Sequence, residues 1–221
     1  MTFRRALALG LLLLLPACGD SAVAVDSPDY LEFREKPTAC GAERPDPARE
    51  MTFTRPDDLD LSGAITATLR TSCGDIVLQL IPDLAPATVN SFVYLAEHGY
   101  FDGTVSHRIY PGFVVQLGDP TATGLGGPGY RIGDELPPAD FAYLTGMVAM
   151  ANRGPNTSGS QFFIVLADSG LDPDYSVFGF VASGWEVLQR IVAIPVGPNP
   201  TTLEPSYPLE TLYLETVTIQ R

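Results

Sequence analysis

The sequence predicts a mainly β domain: short strands in a closed or nearly closed barrel, with two helices. Three observations predict it. The 21 glycines and 20 prolines of this 221-residue chain are spread along its length, which favours many turns over long helices. Short strand-like runs recur between those turns. Only two stretches inside the domain carry helical spacing.

In chain order, residues 65–69 and 76–81 read as two strands joined by the turn Ser72-Cys73-Gly74-Asp75. Residues 86–97 read as a helix: Pro86 suits its first turn, Val89, Phe92, Val93 and Ala96 share a face, and Gly99 suits its stop. Strand-like runs follow at 104–109, 113–117, 146–150, 162–166 and 177–181. A second helix spans 185–191 after the Ser183-Gly184 turn. Residues 212–219 alternate apolar and polar side chains as a closing strand does.

Composition narrows the function. The formal net charge is -13 and Lys36 is the single lysine, so there is no basic patch to neutralise phosphates, and nucleic acid is not an expected partner. With two histidines, His98 and His107, and no close cysteine pair, no metal site is expected. His98 lies near the end of the first helix, where a partial positive charge is welcome. The glycine-rich stretch 124–129 lacks a following Lys-Ser/Thr and contains Pro128, so it reads as a rim loop rather than a phosphate cradle.

The N-terminus reads as an address. Arg4 and Arg5 precede the apolar run 6–15, too short to span a bilayer but the right length for a secretory signal. Leu15-Pro16-Ala17-Cys18 resembles the lipobox of bacterial lipoproteins, with Pro16 in place of the usual small or β-branched residue. That resemblance implies a signal peptide over 1–17, lipidation of Cys18, and an extracytoplasmic protein held on a bacterial membrane. Residues 18–61, rich in Asp, Glu, Pro and Ala, read as a tether, and the domain as 62–221. Outside the cytoplasm a cysteine pair is more often bonded than free, so a Cys40–Cys73 disulfide is expected.

Two segments carry the chemistry. In 106–119, Pro111-Gly112 turns the chain between two strands; Arg108 precedes the turn, and Val114 and Gln116 share one side of the second strand. One wall then presents a permanent cation, an apolar surface and an amide. In 150–164 a polar, turn-rich loop leads back into a strand on which Gln161 and Phe163 share parity.

These two strings, in this order, together with Thr71-Ser72-Cys73-Gly74-Asp75-Ile76 and Phe178-Gly179, resemble the cyclophilin family of peptidyl-prolyl isomerases over residues 62–221. The resemblance implies an eight-stranded antiparallel closed barrel capped by two helices. It implies that Arg108 is the catalytic arginine, acting with Phe113 and Gln116. Phe113, Val114, Phe163 and Leu171 would line the proline pocket. Gln116, Ala151, Asn152 and Gln161 would bind the substrate backbone, Tyr175 would close one side, and His107 would flank the site. The expected activity is rotation of X–Pro bonds in exported proteins, by a monomer needing no cofactor. The alternative is a catalytically weak chaperone or module that binds proline-containing segments.

Four positions depart from the family pattern. Tyr175 stands where many members have histidine, and Gly170 where some carry the tryptophan that donates to cyclosporin. Leu117 replaces a usual glycine and Ser106 a usual aromatic, both expected at the pocket edge.

Overall fold

The computed structural model describes residues 23–221. The expected signal peptide and Cys18 lie outside them. The described residues run α1 (Pro28–Glu35), β1 (Thr66–Thr71), β2 (Gly74–Leu80), α2 (Pro86–Glu97), β3 (Thr104–Val105), β4 (Arg108–Tyr110), β5 (Val114–Leu117), β6 (Met147–Met150), β7 (Phe162–Val165), β8 (Val177–Ser183), α3 (Trp185–Val192), β9 (Val196–Pro198), β10 (Pro205–Pro208) and β11 (Tyr213–Gln220), with a 3-10 turn at Ala39–Gly41.

Nine strands form one antiparallel sheet in the order β3-β11-β1-β2-β8-β6-β7-β5-β4, curled into a half-barrel. This corrects the expected closed eight-stranded barrel: the terminal strands β3 and β4 do not pair with each other. They are neighbours in the chain, and the run read as one strand over 104–109 breaks at Ser106 and His107. Ser106 is fully buried there, and its Oγ donates to the carbonyls of Arg108 at 3.1 Å and Gln116 at 2.8 Å. The hydroxyl ties the turned backbone together, a role that period-two alternation does not encode.

The sheet buries one face around α2. Phe92 on that helix sits 5.1 to 5.4 Å, ring centre to ring centre, from Phe101, Phe162 and Phe178 and fills the curl. The N-terminus of α2 has no capping side chain of its own. Glu135, far along the chain, supplies the acceptors instead, taking the Ala87 and Thr88 N–H groups at 3.0 and 2.8 Å. Gly184 opens α3 at φ +92°, and a Cβ there would fall 2.5 Å from the Asp75 carbonyl oxygen, so glycine is required.

The described part of the stretch read as a tether packs on the sheet rather than extending. Ser27 caps α1 by accepting from the Tyr30 N–H. Val25, Tyr30, Phe33 and Ala48 bury themselves against Val105 and Tyr213 as a second small core. The Tyr30 hydroxyl donates to the Gly103 carbonyl at 2.9 Å and accepts the Ala48 N–H at 2.7 Å. Cys40 and Cys73 are disulfide-bonded, with Cα atoms 5.2 Å apart, which joins this segment to the β1–β2 turn. Acidic, proline-rich composition hides the segment because few apolar anchors hold it. Two further strands, β9 and β10, pair as a hairpin among five prolines (195, 198, 200, 205 and 208), a density that argues against strands in sequence.

Candidate active site

Register builds the site. Arg108 on β4 pairs with Gln116 on β5, Gln116 with Phe163 on β7, and Phe163 with Ala149 on β6, so these four side chains form one row on one face of the sheet. The neighbouring row, Ile109, Val115, Ile164 and Val148, points the other way into the core around α2. The site therefore stands on the outer face of the half-barrel, backed by its best-packed region. Gly112, at φ +76°, turns the chain so that Phe113 enters beside Arg108.

A pocket of about 200 Å³ opens on this face, lined by Arg108, Phe113, Val114, Gln116, Ala151, Asn152, Phe163, Leu171 and Tyr175. Nine of the eleven residues singled out in sequence thus meet in one place. Phe163 packs edge-on against Tyr175 with ring centres 5.3 Å apart, and the Arg108 guanidinium lies 5.7 Å from the Phe113 ring and 5.9 Å from that of Tyr110. Tyr175 is held by Tyr143, whose hydroxyl donates to its carbonyl and accepts its N–H.

Gln161 lines a larger adjoining recess of about 600 Å³, which shares Gln116, Ala151 and Asn152 with the first. The loop 124–129 forms one wall of it, as a rim loop should, and Arg131 and Arg153 also line it. A hydrogen-bonded relay fixes the two glutamines: Gln116 Nε2 donates to Gln161 Oε1 at 2.8 Å, and Gln161 Nε2 donates to the fully buried Asp119 at 3.2 Å and to the Gly126 carbonyl at 2.9 Å. A Cβ at Gly126 would stand 2.0 Å from Asp119 Oδ1, so this close approach also demands glycine.

His107 does not line the pocket; its ring lies against Gly124 of the rim loop, and its Nδ1 is buried and without a partner among the described residues. Burial holds its pKa below the ordinary imidazole value; Asp119 and Asp29 oppose that shift, and Arg108 and Arg153 add to it. The folded state therefore prefers neutral His107, while the unfolded chain takes up its proton near pH 6.5. The stability that neutral His107 confers is complete above that pH and is lost as pH falls below it. Thermal melting should drop between about pH 7 and pH 5, before most carboxylates titrate, and His107→Gln should flatten that slope. An unchanged slope in the variant would place the proton uptake elsewhere.

Residues 66–211 match the family model described as cyclophilin type peptidyl-prolyl cis-trans isomerase/CLD. The chain belongs to the cyclophilin-type peptidyl-prolyl cis-trans isomerases. Among similar proteins, peptidyl-prolyl cis-trans isomerase B of Streptomyces anulatus is 39% identical over 172 residues, 70% of this chain and 95% of that one. Peptidyl-prolyl cis-trans isomerase-like 1 of Gibberella zeae is 42% identical over 140 residues, 62% of this chain and 86% of that one. The crystal structure of a cyclophilin type peptidyl-prolyl cis-trans isomerase of Cryptosporidium parvum superposes with a TM-score of 0.65 at 30% identity, covering 72% of this chain and 99% of that one.

Within this cyclophilin, two of the departures do not touch the pocket. Leu117 is fully buried in the core around α2, and Ser106, fully buried between β3 and β4, donates to the Gln116 carbonyl of β5. Gly170 faces open space beside Leu171. One residue at the site went unread in sequence: Glu204, whose carboxylate oxygen accepts from Arg108 Nε at 3.3 Å and Nη2 at 3.1 Å. It lies 96 residues from Arg108, in a proline-rich stretch with no motif, so local pattern carried no signal for it.

Proposed function

We propose that this isomerase turns X–Pro bonds by aiming the Arg108 guanidinium at the proline nitrogen of the twisted amide, and that its clients are exported proteins met near a membrane surface. The observation that carries the mechanism is the convergence of one arginine with Phe113, Val114, Phe163 and Leu171 around a single pocket.

Amide resonance sets a barrier of roughly 20 kcal/mol to this rotation. At the twisted transition state the proline nitrogen regains its lone pair and accepts a hydrogen bond that the planar ground state cannot. A donor placed there binds the transition state in preference to the substrate, which is the condition for catalysis. The aromatic and aliphatic wall suits the pyrrolidine ring, and lowered dielectric beside it strengthens the arginine's pull. Asn152 and the braced glutamines supply polar contacts to the peptide on either side. No bond to an enzyme group forms or breaks. The basic start, the apolar run and Cys18 support export and anchoring.

Relaxation of a short proline peptide from cis to trans tests the activity. The rate should rise in proportion to the concentration of the mature protein. Saturable peptide binding with no acceleration would overturn the proposal in favour of a binding module. Labelling with a radioactive fatty acid in a bacterial host tests the anchor: label lost in Cys18→Ser supports it, and no label in the native sequence overturns it.

A further inference from the structure

From the pairing at the pocket wall, we infer that Glu204 is a positioning residue for Arg108, held in place by the β9–β10 hairpin and, through it, by the N-terminal helix. The inference rests on the proposed role of Arg108.

Arginine offers five N–H groups in a planar fork. Glu204 Oε2 engages one on Nε and one on Nη2, so three remain for the substrate side. The rings of Tyr110 and Phe113 at 5.9 and 5.7 Å bound the guanidinium but offer it no strong acceptor. Two hydrogen bonds to one carboxylate stop it from rotating in its plane and from swinging off the pocket. An ordinary exposed ion pair achieves little of this, because both partners lose entropy to meet in water. Here the Arg108 side chain is only 22% exposed, and its partner is not free to wander.

The loop that carries Glu204 is built to hold still. Asn199 Oδ1 accepts the N–H groups of Thr201 and Thr202 at 2.9 and 3.1 Å. Asn199 N donates to the Glu204 carbonyl at 2.7 Å, and Leu203 N donates to the Asn199 carbonyl at 2.9 Å. Pro198, Pro200 and Pro205 fix φ at three further points. Leu203 takes φ +62°, a strained value for a branched side chain, immediately before Glu204. At the base of the hairpin, Tyr207 packs 5.2 Å from Phe33 of α1, and Lys36 lies 3.7 Å from the Tyr207 ring while its Nζ donates to the Pro208 carbonyl at 3.2 Å. The segment before the domain thus reaches the guanidinium through three contacts: α1 to Tyr207, hairpin to Glu204, Glu204 to Arg108.

A group that orients the donor acts only when the donor acts, at the twisted amide, so its loss should fall on kcat and spare KM. Glu204→Ala should lower kcat about tenfold with KM within about twofold. Glu204→Gln keeps an acceptor oxygen in the same place and should recover most of that loss. The proposal is overturned by a Glu204→Ala enzyme with wild-type kcat, by a loss that falls on KM instead, or by a loss that tracks a lowered melting temperature. Arg108→Ala run alongside separates the two readings. Impaired Arg108→Ala beside wild-type-like Glu204→Ala removes only the positioning role, whereas a fully active Arg108→Ala removes both.

Discussion

Replacing Arg108 with alanine should lower kcat/KM for a proline peptide about a hundredfold or more, the usual cost of removing one aimed donor from a preorganised site. The melting temperature should barely move. The Arg108 side chain is 22% exposed and its partner Glu204 36%, so the carboxylate left behind is resolvated rather than stranded. The aliphatic wall of Val114, Phe163 and Leu171 stays, so the variant should still bind proline peptides. Arg108→Lys is the sharper probe. It keeps the charge but loses the planar fork that satisfies Glu204 and the substrate together, so it should recover little. If lysine restored full activity, the pocket would need only a positive potential, and the directed hydrogen bond would have to be abandoned.

Removing the Cys40–Cys73 bridge should cost about 3–4 kcal/mol, from the loop of 33 residues that it closes in the unfolded chain. The bridge fastens a segment otherwise held by the small core of Val25, Tyr30, Phe33 and Ala48 and by the contacts of Phe33 and Lys36 with Tyr207 and Pro208. Without it that segment should open before the sheet does, exposing the paired Tyr30 hydroxyl and the Gly103 carbonyl. Urea unfolding of Cys40→Ser/Cys73→Ser should show the midpoint falling and amide exchange rising first over 25–48. Identical midpoints for the native and double-serine proteins would mean that the crosslink adds nothing to the packing around Tyr30.

The strand-borne part of the site was legible from alternation, whereas Phe113, Ala151, Asn152, Leu171 and Tyr175 were read only through the resemblance to the cyclophilins. Alternation puts Val114 with Gln116 and Gln161 with Phe163, and the observed register then aligns Gln116 with Phe163 directly. Helix α2 was legible from Pro86 to Glu97 because its start and stop residues are local. What stayed hidden depends on contacts between distant residues. Glu135 capping α2 and Tyr30 spanning Gly103 and Ala48 are single polar contacts with no periodicity. The break at Ser106 was hidden because a buried hydroxyl took the place of a strand pair, so a continuous β-forming run became two strands. His107 lies outside the pocket lining, against Gly124 of the rim loop.

The two ends of the sheet bear on what this enzyme must handle. β3 contributes two residues to one edge and β4 three to the other, and β3 and β4 are joined through Ser106 and His107. Extended polypeptide is the material that adds itself to a long exposed strand. Along these two terminal strands, an extended chain finds few backbone groups on which to add itself as a tenth strand. Short terminal strands thus leave the pocket of Arg108 and Phe113, rather than the sheet's two ends, as the place where a peptide can be held.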